Sequence, residues 1–152
     1  DVLAPNLDTL NVQGFKYEGY AARISDMRSY FNENMKLLDD ENLDALFSGN
    51  PIYTKIRDDN PTRYISGSEA SNVMVADGCV IEGHVENSIL FRGVKIAKGA
   101  VVKNCILMQD TVIEEDARVD YTITDKKVVI SSGKEMKGAD TFPLYIAKGH
   151  RV

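Results

Sequence analysis

The sequence predicts a mainly β protein whose larger part is a three-sided parallel β-helix, preceded by a short α/β segment. Four segments of twelve residues repeat, and their starts are 15, 17 and 17 residues apart, at Ala70, Val85, Val102 and Val119. Aliphatic residues recur in them about every five or six positions, whereas a helix would repeat near 3.6 and an isolated strand at 2. Short strands joined by tight corners fit this period, and three such sides form a coil of about seventeen residues.

The repeats also predict which side chains fill the β-helix. The predicted interior residues are Ile81, Ile96, Ile113 and Ile130 at the repeat ends, Val102, Met108 and Val119 between them, and the small residues Cys79, Ala100 and Cys105. The predicted corner residues, whose types favour turns, are Asp77, Gly78, Gly93, Gly99, Asp110 and Asp116. A generic β-sandwich is the alternative, and the nearly constant repeat spacing disfavours it.

The first 69 residues follow a different pattern. Ser25 offers an N-cap oxygen before a helix whose apolar face contains Met27, Tyr30, Phe31, Met35 and Leu38. A second helix is expected over Asp40–Phe47, ended by Ser48–Pro51, and strands are expected at Phe15–Ala22 and Ile52–Ile56. Because open strand edges need covering, we expect segment 1–69 to cover one end of the β-helix. The tail Lys134–Val152 is expected to fold back over the other end.

Composition limits the function classes. The chain has 18 Lys and Arg against 23 Asp and Glu, which gives a net charge of −5. Residues 126–152 carry six bases and two acids, so an anion site near the C-terminus is possible while general nucleic-acid binding is disfavoured. No membrane span or signal peptide is visible, and two cysteines make no disulfide framework, so we expect a cytosolic protein. Because the chain begins with Asp1 and not Met, we expect a piece of a longer protein.

Three segments before the repeats carry a family resemblance. The stretches Tyr17–Ile24, Ser29–Leu38 and Pro51–Lys55, in this order before hexapeptide coils, resemble the C-terminal region of glucose-1-phosphate adenylyltransferase (ADP-glucose pyrophosphorylase), in particular its GlgD-type regulatory subunit. The resemblance implies that the coils wind left-handed, an exception to the usual right-handed crossover. It also implies three regions: residues 1–24 from the end of a nucleotidyltransferase domain, a helical linker and strand over 25–69, and the β-helix with its tail over 70–152.

The resemblance implies a regulatory role. Catalytic subunits of this family carry an aspartate, after the Gly-Tyr pair, that helps to hold Mg²⁺. The pair Gly19–Tyr20 places Arg23 at that position, and a cation there would repel Mg²⁺ and remove an oxygen ligand. An alignment shifted along the chain would make Asp26 the ligand. We therefore expect no catalytic residue and no cofactor in this chain, with Mg²⁺ required by the full enzyme.

The family pattern also suggests an effector site. A basic residue after a Val-Ile-Asp stretch helps to bind the effector, a phosphorylated sugar or related anion, in bacterial catalytic subunits. The matching stretch here is Thr122–Asp125, which puts Lys126 at the basic position with Lys127 beside it. The plainer interpretation is a solvated lysine pair at a turn. The expected partner is the catalytic subunit of the same enzyme, or a second copy of the chain.

A second function class remains open from the sequence. Many hexapeptide β-helix enzymes are trimeric acyltransferases that use one histidine as a general base. His84, in the short join Glu82–His84, would be that base, although an exposed corner histidine is the favoured explanation.

Overall fold

A computed structural model describes residues 2–49, 52–54 and 57–152. Within these residues, parallel strands stack into three faces, which confirms the predicted β-helix. The first face consists of β1 (Arg63–Tyr64), β3 (Val80–Ile81), β5 (Lys95–Ile96), β8 (Val112–Ile113) and β11 (Val129–Ile130). The second face consists of the first halves of β2 (Glu69–Val75) and β4 (His84–Leu90), with β6 (Val101–Lys103), β9 (Arg118–Asp120) and β12 (Glu135–Lys137). The third face consists of the second halves of β2 and β4, with β7 (Ile106–Leu107), β10 (Thr122–Thr124) and β13 (Leu144–Ile146).

The four repeat-end isoleucines form one column inside the β-helix. Their strands pair in register, and each isoleucine is at most 1% exposed, as predicted. Cys79, Ala100 and Cys105 are also fully buried. The prediction for Met108 is wrong: Leu107 points into the core, and Met108 is half-buried. The side chains alternate along β7, so Leu107 takes the inward position and Met108 already belongs to the next corner.

One row of corners uses asparagine, for a conformational reason. Asn72, Asn87 and Asn104 have φ values of 51°, 46° and 49°, in the left-handed region that asparagine tolerates better than most residues. Their amides form a ladder: Asn72 donates to Asn87 at 2.9 Å, Asn87 to Asn104 at 2.7 Å, and Asn104 to Asp120 at 2.9 Å. This row therefore links successive coils through side chains as well as through the backbone.

The coils extend beyond both ends of the repeat region. The β-helix begins at β1, ahead of Ala70, because Arg63 and Tyr64 pair with β3. The prediction that the tail folds back is wrong: β12 and β13 continue the stack, Ile146 enters the core at 6% exposure, and Arg151 bridges to Val129. The tail has the same strand and corner pattern as the earlier coils, so it pairs with them instead of capping them.

Helices α1 (Met27–Met35) and α2 (Asp40–Phe47) confirm the two predicted helices, with the 3-10 turn Lys36–Leu38 between them. The N-cap of α1 is Asp26, not the predicted Ser25: the Asp26 carboxylate accepts from the Ser29 amide at 2.7 Å, and the Ser29 hydroxyl accepts from the Asp26 amide at 3.0 Å. In the described part of the chain, no helix is long and apolar enough to cross a membrane.

The two strands predicted before the β-helix are not seen. Phe15–Ala22 is irregular and largely exposed, and Ile52–Thr54 is also irregular. The rest of the second predicted strand, at 55–56, lies outside the described residues. A strand needs a neighbour for its backbone hydrogen bonds, so the alternating pattern alone does not create one.

The expectation that segment 1–69 covers one end of the β-helix holds only for its last part, where β1 pairs with β3, because helix α1 covers a side instead. Phe31 is 4% exposed and packs on Ile106 and Ile123, which project outward from the third face. The Phe31 ring lies 6.1 Å from the ring of Tyr121, centroid to centroid. Tyr30 and Met35 pack on the same cluster. The outer surface of the third face is apolar because it receives this helix.

Candidate functional site

Lys126 and Lys127 lie in the turn between β10 and β11, at the corner where the third face meets the first, and both are exposed. The turn is held by backbone hydrogen bonds to the coils on both sides. The Lys127 amide donates to the carbonyl of Gln109 at 2.8 Å, and the Lys126 carbonyl accepts from Gly149 at 2.9 Å. A third lysine, Lys148, comes next, because the bridge between Val129 and Arg151 aligns it with Lys126 one coil further on. We call these three residues the lysine corner.

The lysine corner has a chemistry suited to anions. Adjacent coils are about 4.8 Å apart, so amines on neighbouring coils can approach one anionic group together. A lysine ammonium acts as a compact point charge with three donors and binds phosphate without a fixed geometry. Lys127, with a φ of 60°, sits in a tight corner that fixes its backbone. The sequence identified two of these lysines, and the strand register adds Lys148.

Asp125 begins the turn of the lysine corner. The Asp125 carboxylate accepts a hydrogen bond from the Lys126 amide at 2.6 Å, which fixes the start of the turn. Tyr30 of α1 packs half-buried on the cluster that contains Ile123, and burial, followed by the negative charge of Asp125, raises the pKa of the Tyr30 phenol. Neither Asp125 nor Tyr30 stood out from the sequence as functional.

His84 points outward from the second face and lies between two carboxylates. Its Nδ1 is 2.9 Å from Glu69 Oε2, and its Nε2 is 3.6 Å from Glu86 Oε2. Glu86 also pairs with Lys103 at 2.7 Å, and this bond lowers the pKa of the Glu86 carboxyl and raises the pKa of Lys103. His84 borders a groove of about 780 Å³. A general base needs a ring nitrogen free to take the substrate's proton, and here both nitrogens face acidic side chains.

The residues considered for Mg²⁺ do not fit the ion. Arg23 lies exposed in the irregular segment and offers no oxygen ligand. Asp26 caps α1, and the hydrogen bond from the Ser29 amide is the main cause that lowers its pKa. Among the described residues, no three His, Cys, Asp or Glu side chains are grouped as a metal site.

Comparison with known proteins agrees with this architecture. The family model for the GlmU-like C-terminal hexapeptide region matches residues 55–141. The chain belongs to this family. It is also 43% identical over 141 residues to the glycogen biosynthesis protein GlgD of Bacillus subtilis (strain 168), covering 92% of this chain and 41% of that protein.

Two glucose-1-phosphate adenylyltransferases are similar as well. The Geobacillus stearothermophilus protein is 42% identical over 59% of this chain and 23% of its own length. The Bacillus mycoides (strain KBAB4) protein is 30% identical over 88% of this chain and 36% of its own length. These matches confirm the predicted resemblance. The chain spans about two fifths, or less, of the length of these relatives.

Proposed function

We propose that this chain is the C-terminal regulatory and oligomerisation region of a GlgD-type subunit of glucose-1-phosphate adenylyltransferase. That enzyme makes ADP-glucose and pyrophosphate from ATP and glucose 1-phosphate, for glycogen synthesis. The observation that carries the proposal is the 43% identity to GlgD over 92% of the chain. A match of this extent includes part of the helical linker as well as the β-helix, so it is not a likeness of hexapeptide repeats alone.

The irregular segment before α1 supports an upstream domain. Phe15, Tyr17 and Ile24 are 89%, 64% and 56% exposed, which is unusual for large apolar side chains so close together. Burying them against a neighbouring domain would be favourable, and an extended backbone can add to the edge of a sheet there. Residues 1–24 as the last part of a nucleotidyltransferase domain would account for this exposure.

The proposed role of the subunit is regulatory. Arg23 stands where catalytic subunits of the family carry an aspartate for Mg²⁺, and the nearby Asp26 is committed to capping α1. The chain alone should therefore produce no ADP-glucose. In the full enzyme, Mg²⁺ and both substrates would bind to the catalytic subunit, and this chain would contribute assembly and an effector site.

The lysine corner is the proposed effector site, with Lys126 and Lys127 as the first ligands of a phosphorylated sugar or related anion. The test is Lys126→Glu in the full-length subunit co-assembled with the catalytic subunit, with activity measured across concentrations of fructose 1,6-bisphosphate. Losing one charge-assisted contact should raise the half-activation concentration about tenfold or more. Lys98→Glu is the matched control, because Lys98 is an exposed lysine at a different corner and should change nothing. An unchanged half-activation concentration in Lys126→Glu would mean that Lys126 is only surface charge.

The proposed partner is the catalytic subunit. In the described part of the chain, the helices contact mainly β2 and β4, and Phe31 packs on the third face, so the other two faces are the proposed subunit interfaces. Co-expression of the two full-length subunits followed by size-exclusion chromatography should give one hetero-oligomeric peak. Two independent peaks would contradict the proposal.

The acyltransferase alternative has a direct test. It predicts acetyl-CoA turnover that disappears in His84→Ala, and our proposal predicts no turnover in either protein. The two carboxylates that flank His84 favour a role for this histidine in surface ion pairing over a role as a general base.

A further inference from the structure

The first face carries a column of valines on its outer side. Side chains alternate along a strand, so the residue before each repeat-end isoleucine points outward. The strand register stacks these outward residues into one column, which consists of Arg63, Val80, Lys95, Val112, Val129 and Arg151. The three valines are only partly buried, and a groove of about 590 Å³ runs past two of them. Parallel sheets are usually covered on both faces, so this column is suited to a contact.

The charges beside the valine column are also ordered. At the corner that leads into the first face, backbone amides donate to the corner carbonyls of the preceding coil. These bonds stack Asn60, Asp77, Arg92, Gln109, Lys126 and Lys148 in a second column. Asp77 and Lys126 are exposed, and in the described part of the chain neither of them forms an ion pair. Both charges are therefore available to an outside partner.

Two copies of this face complement each other across one two-fold axis. The axis runs parallel to the strands, midway between β5 and β8, so it keeps each position along the strand and reverses the order of the coils. Val80 then lies opposite Val129 of the second copy, and Asp77 lies opposite Lys126 of the second copy. Because the axis is two-fold, each of these pairs occurs twice.

The other opposed residues fit the same arrangement. Lys95 lies opposite Val112 of the second copy, and its aliphatic stem can pack on that valine. At the two ends of the column, Arg63 lies opposite Arg151 of the second copy. This pair of like charges lies at the edge of the contact, where solvent screens it, and Arg151 is already paired with Glu114 at 2.6 Å.

Other placements of the axis fit worse. An axis through β5 sets Lys95 against Lys95, and an axis through β8 sets Arg92 against Lys126. An axis midway between β8 and β11 sets Lys95 against Arg151, and one midway between β3 and β5 leaves Val129 uncovered. Since opposed like charges disfavour association, the charges and the valines together select a single register.

We propose that the outer side of the first face is a two-fold interface with a second copy of this chain. The valine column forms its apolar centre, and the pair of Asp77 and Lys126 lies at its polar rim, which is the usual arrangement of a protein interface. This inference goes beyond the proposed function, because it assigns the first face to a copy of the same chain and leaves the second face for the catalytic subunit.

Disulfide cross-linking of the full-length subunit, alone and without effector, tests the register. Both native cysteines are buried, so the new thiols are the ones that react. The double variant Val80→Cys/Val129→Cys should form a covalent dimer under mild oxidation, because each new cysteine faces the other kind in the second copy. Either single change alone should form none. Val101→Cys/Val129→Cys is the matched control, because Val101 lies on the second face, and it should form none either.

A charge exchange tests the rim. Asp77→Lys sets two lysines against each other, and it should raise the dissociation constant of self-association, measured by sedimentation velocity, about tenfold or more. Adding Lys126→Asp in the same chain restores opposite charges and should recover most of that loss. Glu135→Lys is the control, because Glu135 is an exposed acid of the second face, and it should change the constant less than about twofold. Equal thermal melting of the variants and the wild type excludes unfolding as the cause.

Three results would overturn the interface. They are a covalent dimer of Val80→Cys with itself, a monomeric wild type that gives no cross-link in the double variant, and a loss in Asp77→Lys that Lys126→Asp does not recover. Any of these would mean that the face is bare or covered by a different partner. The effector proposal would still stand, because it is judged separately, from the activation of the hetero-oligomer in Lys126→Glu.

Discussion

Ile113→Ala tests the interior register of the β-helix. Ile113 is fully buried, between Ile96 and Ile130 in the column of the first face. The substitution removes three carbon atoms, each worth about 0.8 kcal/mol on transfer, and leaves a cavity in a rigid stack. Together these give a loss of about 3–4 kcal/mol in the free energy of unfolding. With an unfolding entropy near 2.1 cal/mol/K per residue, the melting temperature should fall by about 10 °C. Thermal melting followed by circular dichroism, with urea unfolding as a second measure, gives both numbers.

The neighbouring residue supplies the control. Val112 precedes Ile113 in β8, so its side chain points to the opposite side of the face, and it is only partly buried. Val112→Ala should cost less than about 1 kcal/mol. Ile113→Asp places an unpaired charge in the same column and should cost more than Ile113→Ala. If Ile113→Ala and Val112→Ala cost the same, or if Ile113→Asp melts within a degree or two of the wild type, the interior register is wrong.

Three further predictions concern the ladder, the thiols and a surface ion pair. Asn104→Ala should lower the free energy of unfolding in urea by about 3 kcal/mol, because it removes two side-chain hydrogen bonds and places alanine at a φ of 49°. Asn104→Gly should recover part of this loss, because glycine adopts that φ without strain. Equal losses in the two variants would argue against backbone strain. Burial raises the pKa of Cys105 to about 12, so Cys105 and the buried Cys79 should resist a thiol reagent at pH 8 until the protein unfolds, and rapid labelling of the native protein would contradict this. The hydrogen bond with Lys103 lowers the pKa of Glu86 in the folded protein. The stabilisation from this pair is therefore complete at pH values above the ordinary carboxyl pKa, and it is lost as the pH falls through the lower pKa of the folded state. In an NMR titration the Glu86 carboxyl should titrate below 4.5 and move back up in Lys103→Met, and no movement would rule out Lys103 as the cause.

The sequence predicted the features that repeat. Each coil places an isoleucine at the same position, so Ile81 and Ile113 could be assigned to the interior before any contact was known. The second helix was predicted at its true bounds, because Asp40 begins an amphipathic stretch and Ser48 follows its last residue. Such signals are local or periodic, and one chain contains enough copies of them to be recognised.

The features that depend on the meeting of distant segments were not predictable. Phe31 and Ile123 are more than ninety positions apart, and only the docking of α1 brings them together. Lys148 joined the lysine corner for a similar reason, since the tail contributes a further coil where the sequence suggested a cap. The strand expected at Phe15–Ala22 failed for a related reason. Its alternating pattern is typical of a strand, but the described chain provides no neighbouring strand to form the backbone hydrogen bonds.

The last coil differs from the others at one corner, and this difference bears on how the chain can gain residues in evolution. Between β12 and β13 the chain makes an excursion over Gly138–Pro143, where the coil below needs only Tyr121. The two sides of the excursion still bond to adjacent residues, because Gly138 donates to the Asp120 carbonyl and Leu144 to that of Tyr121, both at 2.9 Å. Residues can therefore be inserted at a corner without shifting any residue of the core. Evolution, or an engineer, can insert a recognition loop there while the stacked faces keep their register.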